Sequence, residues 1–418
     1  MTIDRKFDAL IVGAGMVGAA AACLLARSGF SVAILEAREP QVFDSTGAVG
    51  LRVSAFSPGA QAILTEAGAW RQIEQQRHCP YRRMRVEDRD ESVVIAFNAP
   101  EFGLERLGTI IENQLVQWSL WQTLQAMGGV EIICPDQLEE LEYVNDEPVA
   151  RLSSGRSIQC RLLVGADGAN SKVRKMLGID QDHWEYGQQG IVSVIETSQP
   201  NPGIAWQRFM EGGPLAFLPL QDGTSSIVWS RPEAEARRLL ELDDETFCAE
   251  LEQAAAGESQ AWPGAIRACG PRAGFPLTMR LSHCYAASRA VLIGDAAHVV
   301  HPLAGQGVNL GLLDAAGLTE VLLEARGHHA DISSEKTLRK FERWRRSEAE
   351  VMARGIHGIR GLFMPEALAP LRRLGLGLVS RSWTAKEAFI KRAAGKNSNA
   401  PALARGVALT DILRKSAS

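Results

Sequence analysis

Apolar and polar positions divide the chain into stretches of different period. "DALIVG" is a short unbroken apolar run, "MVGAAAACLLARSG" has helical composition and stops at Gly29, and "SVAILE" is a second apolar run. Runs of this length suit strands buried on both faces of a parallel sheet, so the order predicts strand, tight turn, helix, strand. A second punctuated unit lies in "CRLLVGADGANSKVRKMLG". It predicts a strand at Leu162 to Val164, a turn at Gly165, Asp167 and Gly168, and a helix opened by Asn170 and Ser171 and stopped at Gly178. From residue 190 to 280 the period falls to two. "AWQRFMEGGPLAFLPL" predicts two strands joined at Glu211, Gly212 and Gly213, "SSIVWS" predicts a third, and together they imply a separate antiparallel sheet. Both faces of "PLAFLPL" are apolar around Phe217, which suits a sheet roofing an oily pocket and equally a sheet covered by helices. A short buried strand is predicted at Ala290 to Ile293, and beyond residue 312 the pattern is helical.

Composition sets the scale. At 418 residues and 46% apolar the chain exceeds one simple core, and a prior of roughly 100 to 200 residues per domain gives two or three domains, enough to bury a large cofactor. A formal charge of −4 and a pI near 6.1 advertise no nucleic acid or other polyanion, so small or apolar ligands are expected. The balance hides an asymmetry: the last 38 residues carry eight basic and two acidic side chains, a net +6. Such a tail is expected to be a solvated surface, the alternative being a face for anionic lipid or an acidic partner. Cys23, Cys79, Cys134, Cys160, Cys248, Cys269 and Cys284 are scattered without a C-x-x-C, which argues against a disulfide framework or a zinc site and fits a reducing cytoplasm. The opening "MTIDRKFDALIVGAG" lacks the pattern of a signal peptide, and no stretch reaches ~18 uninterrupted apolar residues, so a soluble or peripherally attached chain is expected.

Candidate chemistry sits at the turns. "GAGMVG" places Gly13, Gly15 and Gly18 in G-x-G-x-x-G spacing between a strand and a helix, with Glu36 18 positions beyond the last glycine. The first glycine permits the turn, the second lets a pyrophosphate approach the backbone, and the third lets the helix pack on the strand; the acid would accept hydrogen bonds from ribose hydroxyls and repel a 2′-phosphate. FAD or NAD is therefore expected rather than NADP. In "GDAAHVVHPLAGQGVNLG", Asp295, His298 and His301 are spaced by three, but Pro302 breaks any helix through them and no fourth ligand is near, so no metal is expected. The segment reads instead as a glycine-rich loop feeding a helix that begins near Gly307 or Val308, whose unpaired amides favour negative charge. Two such helix starts suggest one large cofactor bound at both ends, and a flavin, anionic when reduced, meets that requirement. Asp295 would then meet ribityl or ribose hydroxyls with Asp167 close by, although an ordinary capped turn would also explain Asp167.

"GAGMVG" with Glu36, "GADGANSKVR" and "GDAAHVVHPLAGQGVNLG" together resemble the FAD-dependent aromatic hydroxylases of the para-hydroxybenzoate hydroxylase type. More closely, "LRVSAFSPGAQAILTEAGAW", "IIENQLVQWSLWQTL", "GPLAFLPL", "SSIVWS" and "HPLAGQGVNLGLLDAAGL" resemble the ubiquinone-biosynthesis hydroxylases of the UbiH, UbiF and UbiI/VisC group, from about residue 5 to about residue 395. "LRVSAFSP" and "SIVWS" place the chain nearest the UbiI/VisC members, so hydroxylation at C5 of a 2-polyprenylphenol is expected, while "CPYRRM" leans to the UbiF type and keeps a UbiH- or UbiF-type ring position as the alternative. The resemblance implies an aromatic monooxygenase that hydroxylates a polyprenylated phenol through a flavin C4a-hydroperoxide, with O2 as co-substrate. Only one dinucleotide fingerprint is present, so electrons come from NAD(P)H bound elsewhere or from another reductant. It also implies work beside other quinone-biosynthesis proteins, at or near the inner membrane. Position by position, it puts Gly13, Gly15, Gly18 and Glu36 on the ADP half of FAD, Arg52 beside the flavin, Asp167 near the pyrophosphate and Asp295 on the ribityl side. Pro302, Gly305, Gln306, Gly307, Val308 and Asn309 line the ring, with His301 and Pro302 where substrate and oxygen meet, a backbone-positioning role being the alternative for His301. Glu112 and Asn113 stand where many relatives in the broad fold have an arginine, a departure from the pattern. Leu215, Phe217 and Leu218 are the pocket candidates for the prenylated phenol, core packing being the alternative.

The fold expected is α/β: a Rossmann-like FAD-binding domain (1–80, 110–190 and 281–345), an inserted antiparallel-sheet substrate domain (81–109 and 191–280), and a C-terminal helical segment with a basic tail (346–418). Two other functions compete: a flavin-bearing scaffold of a quinone-biosynthesis complex that does not turn over, and a reductase of prenyl double bonds.

Overall fold

The computed structural model describes residues 5–88, 94–256, 264–300, 307–363 and 382–416. Its first layer is the parallel sheet that the apolar runs require. Arg5–Val12 pairs in parallel with Val32–Leu35 on one side and Ser157–Gly165 on the other; Val32–Leu35 continues to Val130–Ile133, and Ser157–Gly165 to Ala290–Leu292. All four residues of Val32–Leu35 are buried, the pattern of a strand covered on both faces. The covers include Met16–Arg27, whose alanine-rich run from Gly18 to Leu25 is buried throughout, together with Asn113–Ala126 and Gly307–Gly327. A hairpin, Leu138–Val144 and Glu147–Leu152, extends the edge; its two-residue turn, Asn145 and Asp146, has both residues at positive φ, as strand twist demands.

The second layer is a nine-stranded sheet built mainly from Gln181–Thr197, Ile204–Arg208, Leu215–Pro219, Ser225–Pro232 and Ala273–Ser282. It is antiparallel except where Ile204–Arg208 meets Arg83–Glu87, an earlier stretch of chain that brings Val94–Asn98 to the edge with it. Helices Glu233–Glu241 and Asp244–Ala255 cover its outer face over a core of Ile191, Phe217, Ile227, Trp229, Phe247 and Leu251. A three-stranded antiparallel sheet, Val53–Phe56, Gly108–Glu112 and Cys79–Tyr81, lies between the layers in sequence. The predicted hairpins and capped units are present, and the chain ends in helices, including Glu335–Phe363, Trp383–Ala393 and Leu409–Ser416. No described helix is long and apolar enough to cross a membrane.

Candidate functional site

The first turn shows why three glycines recur at that spacing. Gly13 leaves the first strand at φ +102°, and a Cβ there would meet Ala166 O at 2.5 Å; at Gly18 a Cβ would stand 2.0 Å from Gly13 O. Both are glycine because backbone occupies the space. Gly15 is different: its φ of −64° suits any residue, and no protein atom lies within 4 Å of its Cβ direction. That open space faces the amide end of Met16–Arg27, where unpaired N–H groups and the helix dipole favour an anion. Glu36 is fixed beside the same turn, accepting from Ala14 N at 2.6 Å and from Arg38 N at 3.2 Å.

The second turn contributes backbone rather than charge. Ala166 and Gly168 line the cavity described below, but the Asp167 carboxylate turns away from it. It accepts from Ser171 Oγ at 2.5 Å, Lys172 N at 2.6 Å and Val173 N at 3.2 Å, capping Lys172–Met176. A short helix start with orphan amides is the nearest strong donor set, and it takes the acid.

The two turns and the inner face of the large sheet enclose a cavity of about 580 Å³. Gly15, Met16, Arg52, Asn113, Asp295, Gly307 and Val308 line the turn side, and Val192, Ala205, Ala216, Leu218, Val228, Phe275 and Leu277 the sheet side. A cleft of about 650 Å³ beside Asp244–Ala255 and Ile266–Cys269 is larger, but no glycine turn lines it, and the helix start there already carries the carboxylates of Asp243, Asp244 and Glu245. Asp295 is exposed to the open side of the cavity, with protein packed closely around its backbone. Burial pushes its carboxyl above the ordinary aspartate value, and the charges of His298 and Arg52 offset part of the rise. The Arg52 guanidinium sits 5.3 Å from the centre of the Phe275 ring, joining the turn side to the sheet side. Tyr81 also lines the cavity, and burial pushes its phenol up to about 12.

Three expectations need correction. Leu218 lines the cavity, but Leu215 and Phe217 are fully buried on the opposite face, packed beneath the helices with Trp229. Strand alternation decides this: with Leu218 inward, Ala216 is the second pocket position and the odd-numbered residues go to the core. Asn309 is not on the cavity lining; its Nδ2 donates to Ala55 O at 2.8 Å and its Oδ1 accepts from Ser57 N at 2.9 Å. Asp167 is the third, for the capping reason given. His301, Pro302, Gly305 and Gln306 lie outside the described residues.

Two constellations were not assigned from the sequence. In the first, Glu112 is 5% exposed and takes Arg77 Nε at 2.5 Å, Arg77 Nη2 at 3.1 Å and Gly50 N at 2.6 Å. Arg77 also donates to the carbonyls of Ser45 at 3.0 Å, Gly47 at 2.6 Å and Ala48 at 3.1 Å, so all five guanidinium N–H groups are engaged. Asn113 N donates to Arg52 O at 2.9 Å. The pair thus clamps the loop that delivers Arg52, which accounts for an acid at position 112. In the second, Asp314, wholly buried, accepts from Gly294 N at 3.0 Å and Arg345 Nε at 2.8 Å and is hydrogen-bonded to His298 Nε2. Burial would raise this carboxyl, but His298 and Arg345 outweigh it and hold it below the usual range. A lone acid inside the apolar run "LGLLDAAGL" is the signal that could have found it.

A glycine-turn dinucleotide cradle opposite an oily sheet is the site of an FAD-dependent monooxygenase. Residues 6–354 match the family model described as FAD binding domain. PqsL, a probable FAD-dependent monooxygenase from Pseudomonas aeruginosa, superposes with a TM-score of 0.72 at 23% identity over 89% of this chain and 100% of that one. The p-nitrophenol 4-monooxygenase PnpA from Pseudomonas putida gives 0.74 at 18%, over 93% and 98%; both establish the fold. The 3-demethoxyubiquinol 3-hydroxylase of Escherichia coli is 35% identical over 94% of this chain and 99% of its own length. The ubiquinone hydroxylase UbiL of Rhodospirillum rubrum is 34% identical over 97% and 94%, and the human mitochondrial ubiquinone biosynthesis monooxygenase COQ6 is 31% identical over 89% of each. The chain belongs to the family of FAD-dependent ubiquinone-biosynthesis hydroxylases. Its residues fit the cofactor: the space at Gly15 is the cradle a side chain would fill, and Asp295 presents a carboxylate acceptor on the same cavity wall.

Proposed function

We propose that this chain hydroxylates the ring of a polyprenylated phenol or quinol in ubiquinone biosynthesis. The observation that carries the reading is the cavity, which has glycine turns and two helix ends on one side and a mainly apolar wall on the other, with Gln207, Ser226, Ser230 and Thr278 as its polar members. The first turn and Glu36 hold the ADP half of FAD, Asp295 the ribityl hydroxyls, and Arg52, Gly307 and Val308 the neighbourhood of the ring, with Pro302, Gly305 and Gln306 completing the loop and His301 beside it. Asp167 organises the second turn from behind, and Asn309 ties the helix start to the end of Val53–Phe56. This division makes the parallel layer the FAD domain and the large sheet the substrate domain. When bound, FAD supplies the redox chemistry that draws electrons from NAD(P)H or another reductant and activates O2.

The chain's own work is positioning. Val192, Ala216, Leu218 and Val228 present aliphatic surface that accepts a prenylated ring and keeps water from it. Tyr81, whose proton is held far above neutral pH, is a donor and not a base. Asp295 presents its carboxylate oxygens to the cavity, where they accept hydrogen bonds from hydroxyls. For the ring position, "CPYRRM" and the full-length similarity to the E. coli 3-hydroxylase support a demethoxyquinol substrate. C5 of a 2-polyprenylphenol is the second reading, favoured by "LRVSAFSP" and "SIVWS". A substrate that partitions into lipid makes contact with a membrane face and with other proteins of the pathway part of the same reading.

The test is mass spectrometry of quinone intermediates in the source organism after deletion and re-expression of the gene. A demethoxyquinol that accumulates and disappears on re-expression supports the first position, a polyprenylphenol the second. An unchanged quinone pool rejects both.

A further inference from the structure

The oily face of the sheet does not stop at the cavity. On neighbouring strands Ser226 is paired with Leu218, Ala205 with Met84, and Met84 with Phe97. The register of Trp206 with Phe217 sets Ala205 beside Leu218. Cross-strand neighbours share a face, so these residues form one row. Ser226, Leu218, Ala205 and Met84 line the cavity, and the row ends at Phe97 on the edge strand Val94–Asn98. Phe97 is only 3% exposed because the helix Trp383–Ala393 lies over it. Phe389 stacks on Phe97 with centroids 5.7 Å apart, and Trp383 stacks on Phe102 at 5.0 Å, which itself meets Phe97 at 6.3 Å. Ile390, from the same helix, is buried in the cluster that contains Phe97. Phe389 and Trp383 nevertheless remain 48% and 51% exposed.

We infer that the isoprenoid tail of the substrate runs along this row and leaves the protein beneath Trp383–Ala393, with Phe389 and Trp383 as its outlet. This rests on the reading of the substrate as a prenylated phenol. A cavity of about 580 Å³ must take the flavin ring and the phenol head, while every isoprene unit adds apolar surface that favours burial. From Leu218 onward the row is apolar and packs side chain to side chain from the cavity wall through Phe97 to the half-exposed Phe389, and exposed aromatic rings packed onto an apolar wall mark a place where another apolar body lies.

The test uses holoenzyme and detergent-dispersed phenols bearing one, three and six isoprene units. Wild-type KM should fall as the tail lengthens. Phe389→Ala and Trp383→Ala should raise KM for the six-unit phenol about tenfold, the loss of one aromatic contact surface. Both should leave kcat, FAD content and KM for the one-unit phenol unchanged, and Phe389→Leu should recover most of the loss. Equal KM changes at every tail length, or none, overturn the tail path. Weaker binding to anionic vesicles with no tail-dependent change in KM also overturns it and makes the pair a membrane contact. A wild type that hydroxylates none of the three phenols rejects the substrate reading, and the path with it.

Discussion

Gly15→Val and Gly18→Ala should separate cofactor binding from folding, although the two glycines are three residues apart. At Gly15 the backbone sits at φ −64° and ψ 176°, where valine is unstrained, and its side chain enters space that no protein atom occupies within 4 Å. Losing the modest N-cap preference of glycine costs a few tenths to about 1 kcal/mol, and the stiffer unfolded chain returns about 0.4–1 kcal/mol. The apoprotein should therefore unfold in urea within about 1 kcal/mol of wild type. FAD, however, loses its approach to the helix amides; two charge-assisted hydrogen bonds at roughly 1.5 kcal/mol each raise Kd at least about a hundredfold. At Gly18 the new Cβ would lie 2.0 Å from Gly13 O, so helix and turn must part by more than an ångström, and overpacking of this kind costs about 1–3 kcal/mol. The assays are urea titration of the apoproteins and quenching of FAD fluorescence on reconstitution. A Gly15→Val protein that keeps its flavin through dialysis, or whose apoprotein is destabilised as much as Gly18→Ala, would refute the assignment of that space to pyrophosphate.

Other perturbations follow the same logic. Asp295→Asn should lower FAD retention but stabilise the apoprotein at neutral pH. The raised carboxyl pKa means the folded state disfavours the charge, so the penalty is present above that pKa and fades as pH falls toward the ordinary aspartate value of about 3.9; melting curves from pH 3.5 to 8 check it. Arg77→Met strands a buried Glu112 and three loop carbonyls, at a cost of about 1–3 kcal/mol once partial exposure of the arginine is allowed for. Limited proteolysis should then cut residues 44–50 faster, FAD affinity should fall, and Arg77→Lys should recover only part of it. Asp314→Ala leaves His298 and Arg345 as uncompensated buried groups and should destabilise by about 3–5 kcal/mol. Because Asp314 titrates below the usual range in the folded protein, its stabilisation is full above about pH 4 and lost as pH drops further. Wild type should accordingly lose more melting temperature between pH 4 and pH 2 than Asp314→Asn.

Local pattern made the turns legible, because the chemistry there depends on a few neighbouring backbone positions. Gly18 is forced by Gly13 O inside one strand–turn–helix unit, Gly13 by its left-handed turn as well as by the more distant Ala166, and Glu36 lies one strand away, so spacing suffices. Leu215 and Phe217 show where it fails. "PLAFLPL" is apolar on both faces, and the face that meets the cavity depends on helices Glu233–Glu241 and Asp244–Ala255, which come later in the chain. The Arg77–Glu112 clamp is still less visible, since it joins positions 35 residues apart and acts on a loop distant from both. Only the acid at 112 stood out, and its meaning required the partner. For Asp167 the sequence allowed both a ligand contact and a cap, and the nearest orphan amides took the carboxylate.

Alternation within Leu215–Pro219 has a consequence for how such an enzyme could change its substrate over time. Alternate positions on one strand answer to different pressures: Leu215 and Phe217 hold the sheet to its helices, while Ala216 and Leu218 face whatever is bound. A substitution at 216 or 218 can reshape the reception of a ring without disturbing the packing on the other side. The same strand can therefore drift in specificity while its architecture stays fixed, and a family of related hydroxylases can arise on one scaffold by exchanging every second residue.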